Sequence, residues 1–183
     1  MSLGVADEQA RAQLRALAHP IRLRMLSLLT ASALTAAEIA RELELTHANA
    51  SYHLRQLHAA QVIDIVGEER IHGGIAKRYR HHSSAGGDRP KTTPADRRPT
   101  REHLLVYAAM AAELQRRAAT MRRGPHNHLT DAELWIDPSA WASIRDQIEA
   151  ASDELHRLAV PPRTSGSIRV NATIALFEMR SDQ

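Results

Sequence analysis

Residues 34–66 read LTAAEIARELELTHANASYHLRQLHAAQVIDIV, and the periodicity of this stretch decides the fold. Thr35-Ala-Ala-Glu38 has the spacing of a capping box, so a helix opens there and turns Ile39, Ala40 and Leu43 inward. Glu44-Leu45-Thr46 is short enough to hold two helices at a steep angle, and Thr46 caps a further helix running from His47 to about Ala60. Ala50, Leu54 and Leu57 form the inner stripe of that helix. At Val62-Ile-Asp-Ile-Val66 the period falls from 3.6 to 2, the mark of a strand.

Working outward, Asp7 to Ala18 places Ala10, Leu14 and Leu17 on one helical face. Pro20 fits the first turn of a second helix, Ile21 to Thr30, carrying Leu23, Met25, Leu26, Leu28 and Leu29. On the other side, Ala76 to Arg80 is a second strand. The intervening Gly-Glu-Glu-Arg-Ile-His-Gly-Gly makes the pair a β-hairpin with a long, glycine-tipped loop.

Helix, short turn, helix and basic hairpin form a constellation suited to B-DNA. One helix fits the major groove, its neighbour braces it, and a hairpin reaches an adjacent phosphate row. With the inner stripe subtracted, the 47–60 helix presents His47, Asn49, Ser51, Tyr52, Arg55 and Gln56 without a single carboxylate. The helix before it carries Glu38, Glu42 and Glu44, so the exclusion of acids is local. Arg55 suits a bidentate pair with guanine, and Gln56 or Asn49 one with adenine. His53 is open between a DNA contact and a packing role. Thr35 and Thr46 are helix caps first, and hydroxyls so placed can also meet phosphate. Arg70 to His82 holds no acid, and Arg70, His72, Lys77 and Arg78 are expected to contact the backbone from the hairpin.

Residues 8–81 resemble an ArsR-type winged helix-turn-helix, the subgroup of bacterial transcriptional regulators with a C-terminal extension. The resemblance rests on LRALAHPIRLRMLSLL (14–29), on the 34–66 stretch with Ser51, His53, Leu54 and Leu57 in signature order, and on HGGIAKRYR (72–80). It spans about two fifths of the chain and implies a dimeric regulator, by preference a repressor. Two departures stand out. Glu44 occupies a turn position, and Gln61 a post-helix position, where relatives often have glycine. The Cys pair of metal-sensing relatives has no counterpart, which removes thiolate metal sensing.

Composition excludes several other classes. The 183 residues, 43% apolar and 25% charged, lie in the soluble globular range. The longest apolar run, Leu104 to Ala112, is half of the ~18 residues that span a bilayer, and the first thirty residues lack a signal-peptide pattern. A cytosolic protein without membrane contact is expected. With no cysteine there is no disulfide, iron–sulfur cluster or Cys-based zinc site. Six aromatic residues are too few for single-strand stacking platforms. His81-His82, His103 and His126-Asn-His128 are the candidate metal ligands, but a lone His-x-His is a weak zinc signal. No nucleophile–base pair, phosphate loop or carboxylate dyad stands out, so neither catalysis nor a cofactor is expected.

Three segments emerge, all of them in an α+β, mainly α chain. Residues 1–82 form the winged helix-turn-helix domain, 83–100 a Gly/Pro/Ser/Thr-rich flexible linker, and 101–183 a small helix/sheet region for dimerisation and effector sensing. Net charge runs +2 over 1–82, +3 over 83–101 and −2 over 102–183, which separates a polyanion-facing front from a back with another task. Arg101 to Arg123 reads as a helix with Leu104, Tyr107, Ala111, Leu114, Ala118 and Met121 in a seam suited to homodimer contact or to packing within one subunit. Asp137 and Pro138 open another helix, bearing Trp141, Ile144, Ile148, Ala151, Leu155 and Leu158. Residues 168–177 alternate as a strand, with Leu134-Trp-Ile136 as its shorter neighbour and the partner subunit as a source of the missing strands. Trp135 and Trp141 are either core aromatics or the lining of an effector pocket. The functional expectation is a homodimeric, sequence-specific, double-stranded DNA-binding transcriptional regulator. Its rival is a non-specific architectural DNA-binding protein.

Overall fold

A computed structural model describes residues 3–71, 74–81, 99–125 and 127–179. The order of elements is α1 (Leu3–Leu17), α2 (Pro20–Ala31), β1 (Leu34–Thr35), α3 (Ala36–Leu43), α4 (His47–Ala59), β2 (Ile63–Ile71), β3 (Gly74–His81), α5 (Arg101–Ala118) and α6 (Pro138–Arg157).

Each helix of the front half starts where a side chain satisfies its free amides. His19 Nδ1 accepts from the Ile21 amide at 3.2 Å, with Pro20 in the first turn of α2. At α3 the capping box is complete: Thr35 Oγ1 accepts from the Glu38 amide at 3.3 Å, and Glu38 Oε2 accepts from the Thr35 amide at 2.7 Å. Thr46 Oγ1 accepts from the Asn49 amide at 3.2 Å to open α4. Arg22 closes α1 from outside by donating to the carbonyls of Ala16 and Arg15.

These helices share one core. Met25, Leu29, Ile39, Ala50, Leu54, Leu57 and Ile63 are wholly buried, with Leu26, Ala40 and Leu43 nearly so. Every one lies on the face its helical or strand period selects.

The sheet has the order β1-β3-β2, all antiparallel. The two-residue β1 escapes sequence reading because nothing in so short a piece sets a period; it exists because Leu34 and Thr35 lie opposite Tyr79 and Arg78. The hairpin is longer than expected. β2 and β3 continue pairing to Ile71↔Gly74, so most of the anticipated 67–74 loop is ladder. Register steps from Ile65↔Tyr79 to Gly67↔Arg78, leaving Val66 as the extra residue of a bulge.

In the back half, α5 packs across α1 and α2 through Ala109 and Glu113, which are buried. The carboxylate of Glu113 is held by Arg116 at 2.7 Å and Arg117 at 3.5 Å. α5 ends at Ala118 rather than at Arg123, where the Thr120 hydroxyl donates to the Arg117 carbonyl at 3.0 Å and Gly124-Pro125 follows. Asp137 caps α6 as anticipated, accepting from the Ser139 and Ala140 amides. The strands expected at 134–136 and 168–177 do not form: the described residues there belong to no ladder. Alternation marks a surface ready to pair, but a ladder needs a neighbour, and within this chain none lies alongside. The expected 83–100 linker lies outside the described residues except for Pro99 and Thr100.

Glu44 (φ 57°) and Gln61 (φ 56°) occupy the left-handed region, at the two positions where the sequence departs from glycine. A side chain there costs on the order of 1 kcal/mol. Glu44→Gly and Gln61→Gly are each expected to stabilise the domain by about 1 kcal/mol, raising the thermal midpoint followed by circular dichroism by roughly 2–4 °C. A fall in midpoint for both variants would contradict the strain.

Candidate nucleic-acid interface

α4 is two-faced. Ala50, Leu54 and Leu57 have no exposed surface, while His47, Tyr52, Arg55 and Gln56 are exposed and Asn49 and Ser51 half-buried. Tyr52 keeps 50% of its surface open to solvent. Thr46 is also exposed at the mouth of the turn. The outward side chains all donate or accept hydrogen bonds, and no acid interrupts them from Thr46 to Gln61. Arg55 lies close enough to Tyr79 for its charge to oppose the rise that burial imposes on the phenol pKa, so α4 and β3 share one edge.

Two residues expected on this surface are inside the domain instead. Thr35 is 6% exposed, with its hydroxyl committed to Glu38, and so has no access to phosphate. His53, also 6% exposed, stacks against His19 with ring centroids 4.8 Å apart and meets the Tyr52 ring edge-on. Its position follows from helical period: three residues after Ala50 and four before Leu57, it falls on the buried stripe. The Nδ1 of His53 has no hydrogen-bond partner among the described residues.

The hairpin also differs electrostatically from its sequence. Residues 70–82 hold no acid, but register sets Asp64 opposite Arg80 and Glu68 opposite Lys77. Carboxylates from β2 therefore offset the cations of β3. Arg78 is not a free phosphate ligand. Its guanidinium donates to Glu69 at 2.8 Å and to the Ala33 carbonyl at 2.6 Å, and sits 3.6 Å from Glu38. It clamps β3 to β2, to the residue before β1 and to the start of α3. Arg70 and Lys77, by contrast, are exposed near the hairpin tip, Arg70 opposite the apolar Ile75. His72 lies outside the described residues.

Sequence reading missed Arg22, whose guanidinium is within electrostatic reach of Tyr52 and which lines, with Arg15 and Gln56, an open cleft between α1, α2 and α4. No sequence pattern signals it, because its role is to satisfy the carbonyls that end α1.

The histidines offered as metal ligands are dispersed. His81 Nδ1 meets the Thr30 hydroxyl at 3.2 Å, and His103 Nδ1 meets Thr100 at the start of α5. His82 and His126 lie outside the described residues. Among the described residues no three His, Asp or Glu side chains come together as a metal site, and no helix is long and apolar enough to cross a membrane.

Of the α5 seam, Leu104, Tyr107, Ala111, Leu114 and Ala118 all face solvent, opposite the face that meets α1 and α2. Met121, beyond the helix end, is exposed too. Trp135 is 92% exposed and lines no pocket, whereas Trp141 is half-buried on α6.

Residues 17–66 match the family described as a helix-turn-helix domain, a stretch that begins at the last residue of α1 and ends at the bulge in β2. No curated protein matches the chain. With its three-stranded sheet, the front half is a winged helix-turn-helix, a DNA-binding architecture.

Two predictions follow from the buried side chains. Burial first, then the nearby His19 and Arg22, hold the His53 imidazole below its ordinary pKa, and burial and Arg22 do the same to His19. A group with a depressed folded-state pKa contributes its stability above its unfolded value of about 6.5, and that stability is lost as pH falls. The urea midpoint is expected to drop between about pH 7.5 and pH 5.5, and to drop less in His53→Gln; equal slopes would remove His53 as the cause. Arg78→Ala should lower stability by about 1–2 kcal/mol in urea titrations, because Glu69, Glu38 and the Ala33 carbonyl all lose a donor.

Proposed function

We propose that the chain is a cytosolic, non-enzymatic, sequence-specific transcriptional regulator that binds double-stranded DNA as a homodimer, and that it acts as a repressor of the ArsR-like type. The observation that carries this reading is the acid-free outer face of α4, open to solvent while the opposite face anchors the core. In this reading α4 enters the major groove. Arg55, Gln56 and Asn49 read base edges, while Thr46, His47, Ser51 and Tyr52 position the helix. Arg70 and Lys77 meet phosphate from the hairpin. Thr35, His53 and Arg78 serve structure.

The ArsR-like assignment is supported by the left-handed backbone at Glu44 and Gln61, which preserves two glycine-like turns in a chain without those glycines. The homodimer is supported by the exposed seam of Leu104, Tyr107, Ala111, Leu114 and Ala118 on α5. Two copies related by a two-fold axis recognise a near-palindrome whose half-site centres are about one helical turn apart, or a multiple of it. The back half is where an unidentified small-molecule effector would act.

A competition gel shift at physiological salt tests the reading on the DNA upstream of the chain's own coding sequence. Native duplex should outcompete random duplex by at least about a thousandfold. Equal competition would favour an architectural DNA-binding protein. Arg55→Ala should relax preference at one base pair, worth about 1–3 kcal/mol. Lys77→Ala should weaken all duplexes alike and lower the salt slope by about 0.9.

A further inference from the structure

Among the described residues from 121 to 179 no side chain is buried, and α6 has none over its twenty residues. Yet this stretch turns Leu129, Leu134, Trp135, Ile168 (81% exposed), Val170 and Phe177 to solvent. The whole chain exposes 14346 Å², whereas a compact monomer of 20.3 kDa exposes about 8,800 Å². Allowing full extension for every residue outside the described set still leaves an excess on the order of 2,000 Å². That is the size of surface that permanent subunit interfaces cover.

The cover has to come from outside this chain. The residues not described, 1–2, 72–73, 82–98, 126 and 180–183, include no Leu, Ile, Val, Phe or Trp.

The 168–177 segment indicates what supplies it. Ile168, Val170, Ala172, Ile174 and Leu176 alternate with Arg169, Asn171, Thr173, Ala175 and Phe177. Antiparallel pairing with an identical segment about a two-fold axis at Ala172 sets Ile168 opposite Leu176 and Val170 opposite Ile174, with Ala172 opposite itself. On the other face, Asn171 meets Thr173 and Arg169 meets Ala175. No like charges face one another, the apolar face is continuous, and a small side chain sits at the axis. An unrelated partner would not require this self-complementarity. The segment also adjoins the α5 seam: Arg117 donates to Asn171 at 3.2 Å, and the Phe177 ring lies 5.5 Å from that of Tyr107.

We infer that the back half is a two-chain fold, in which residues 168–177 of two copies pair antiparallel about Ala172 and close a core with the α5 and α6 stripes that neither copy closes alone. This rests on the homodimer reading and specifies its interface. The subunits are then joined by a shared sheet as well as by a helix seam.

A chain without cysteine allows a direct test. Ala172→Cys, Arg169→Cys and Leu114→Cys variants of the full chain are oxidised at micromolar concentration in a glutathione buffer and run on non-reducing gels. Light scattering gives the mass of the unmodified chain. The expected result is a dimeric mass, with Ala172→Cys cross-linking at least about tenfold faster than Arg169→Cys, since only position 172 meets its own copy within disulfide range. The Arg169→Cys/Ala175→Cys double variant should recover fast cross-linking. A dimeric mass with position 172 no faster than 169 would overturn the shared sheet while leaving the homodimer standing, and cross-linking only through position 114 would place the contact on α5. A monomeric mass would overturn both. Ile174→Asp should convert dimer to monomer while residues 8–71 keep their helical signal; an unchanged dimer would also count against the shared sheet.

Discussion

The front half depends on the burial of one face of α4. Ala50, Leu54 and Leu57 contribute no surface to solvent, and they meet Met25 and Leu29 from α2, Ile39 from α3 and Ile63 from β2 in a single core. A helix packed this completely on one side has no freedom to rotate, since interiors are close-packed and a turn about its axis would open voids. The same packing that excludes water from the inner stripe therefore fixes the direction of Tyr52, Arg55 and Gln56 on the outer one. Recognition by hydrogen bonds to base edges requires such fixed geometry, because donors and acceptors in a groove are read at their spacing.

The charges are arranged around this anchor with a division of labour that composition conceals. Arg22 and Arg78 are spent inside the domain, the first on the carbonyls that end α1, the second on Glu69, Glu38 and Ala33. Both substitute a charged donor for a backbone or carboxylate partner that would otherwise be left half-satisfied. The hairpin consequently carries less free positive charge than its sequence shows. What remains available is concentrated on α4 and at the Arg70 and Lys77 end of the sheet, the two places that would flank a duplex lying along α4.

The back half obeys a different constraint. α5 is attached to α1 and α2 by a narrow face including Ala109 and the ion-paired Glu113, whereas its other face, α6 and the segment after it remain largely open. Apolar surface on that scale is unfavourable in water. A winged domain with a complete core and an extension without one divide the work in a way suited to binding DNA through one part and a second copy through the other.

Sequence alone determined the local starts and stops. The Thr35–Glu38 box, the Thr46 cap, Pro20 and the Asp137 cap all act within one helical turn, and the inner stripes of α2, α3 and α4 follow from period alone, so they were legible residue by residue. The acid-free face of α4 was legible for the same reason. Tertiary structure alone decided which residues meet across the chain: β1 against β3, Asp64 against Arg80, Arg78 into a clamp, Arg22 onto the end of α1, and His53 onto His19. Helix caps and periods are interactions between near neighbours, but pairing register and charge compensation join residues far apart, and no local pattern records their partners. Residues 168–177 mark the boundary: their alternation could be read from the chain, but a ladder forms only where a second strand is present to accept its hydrogen bonds.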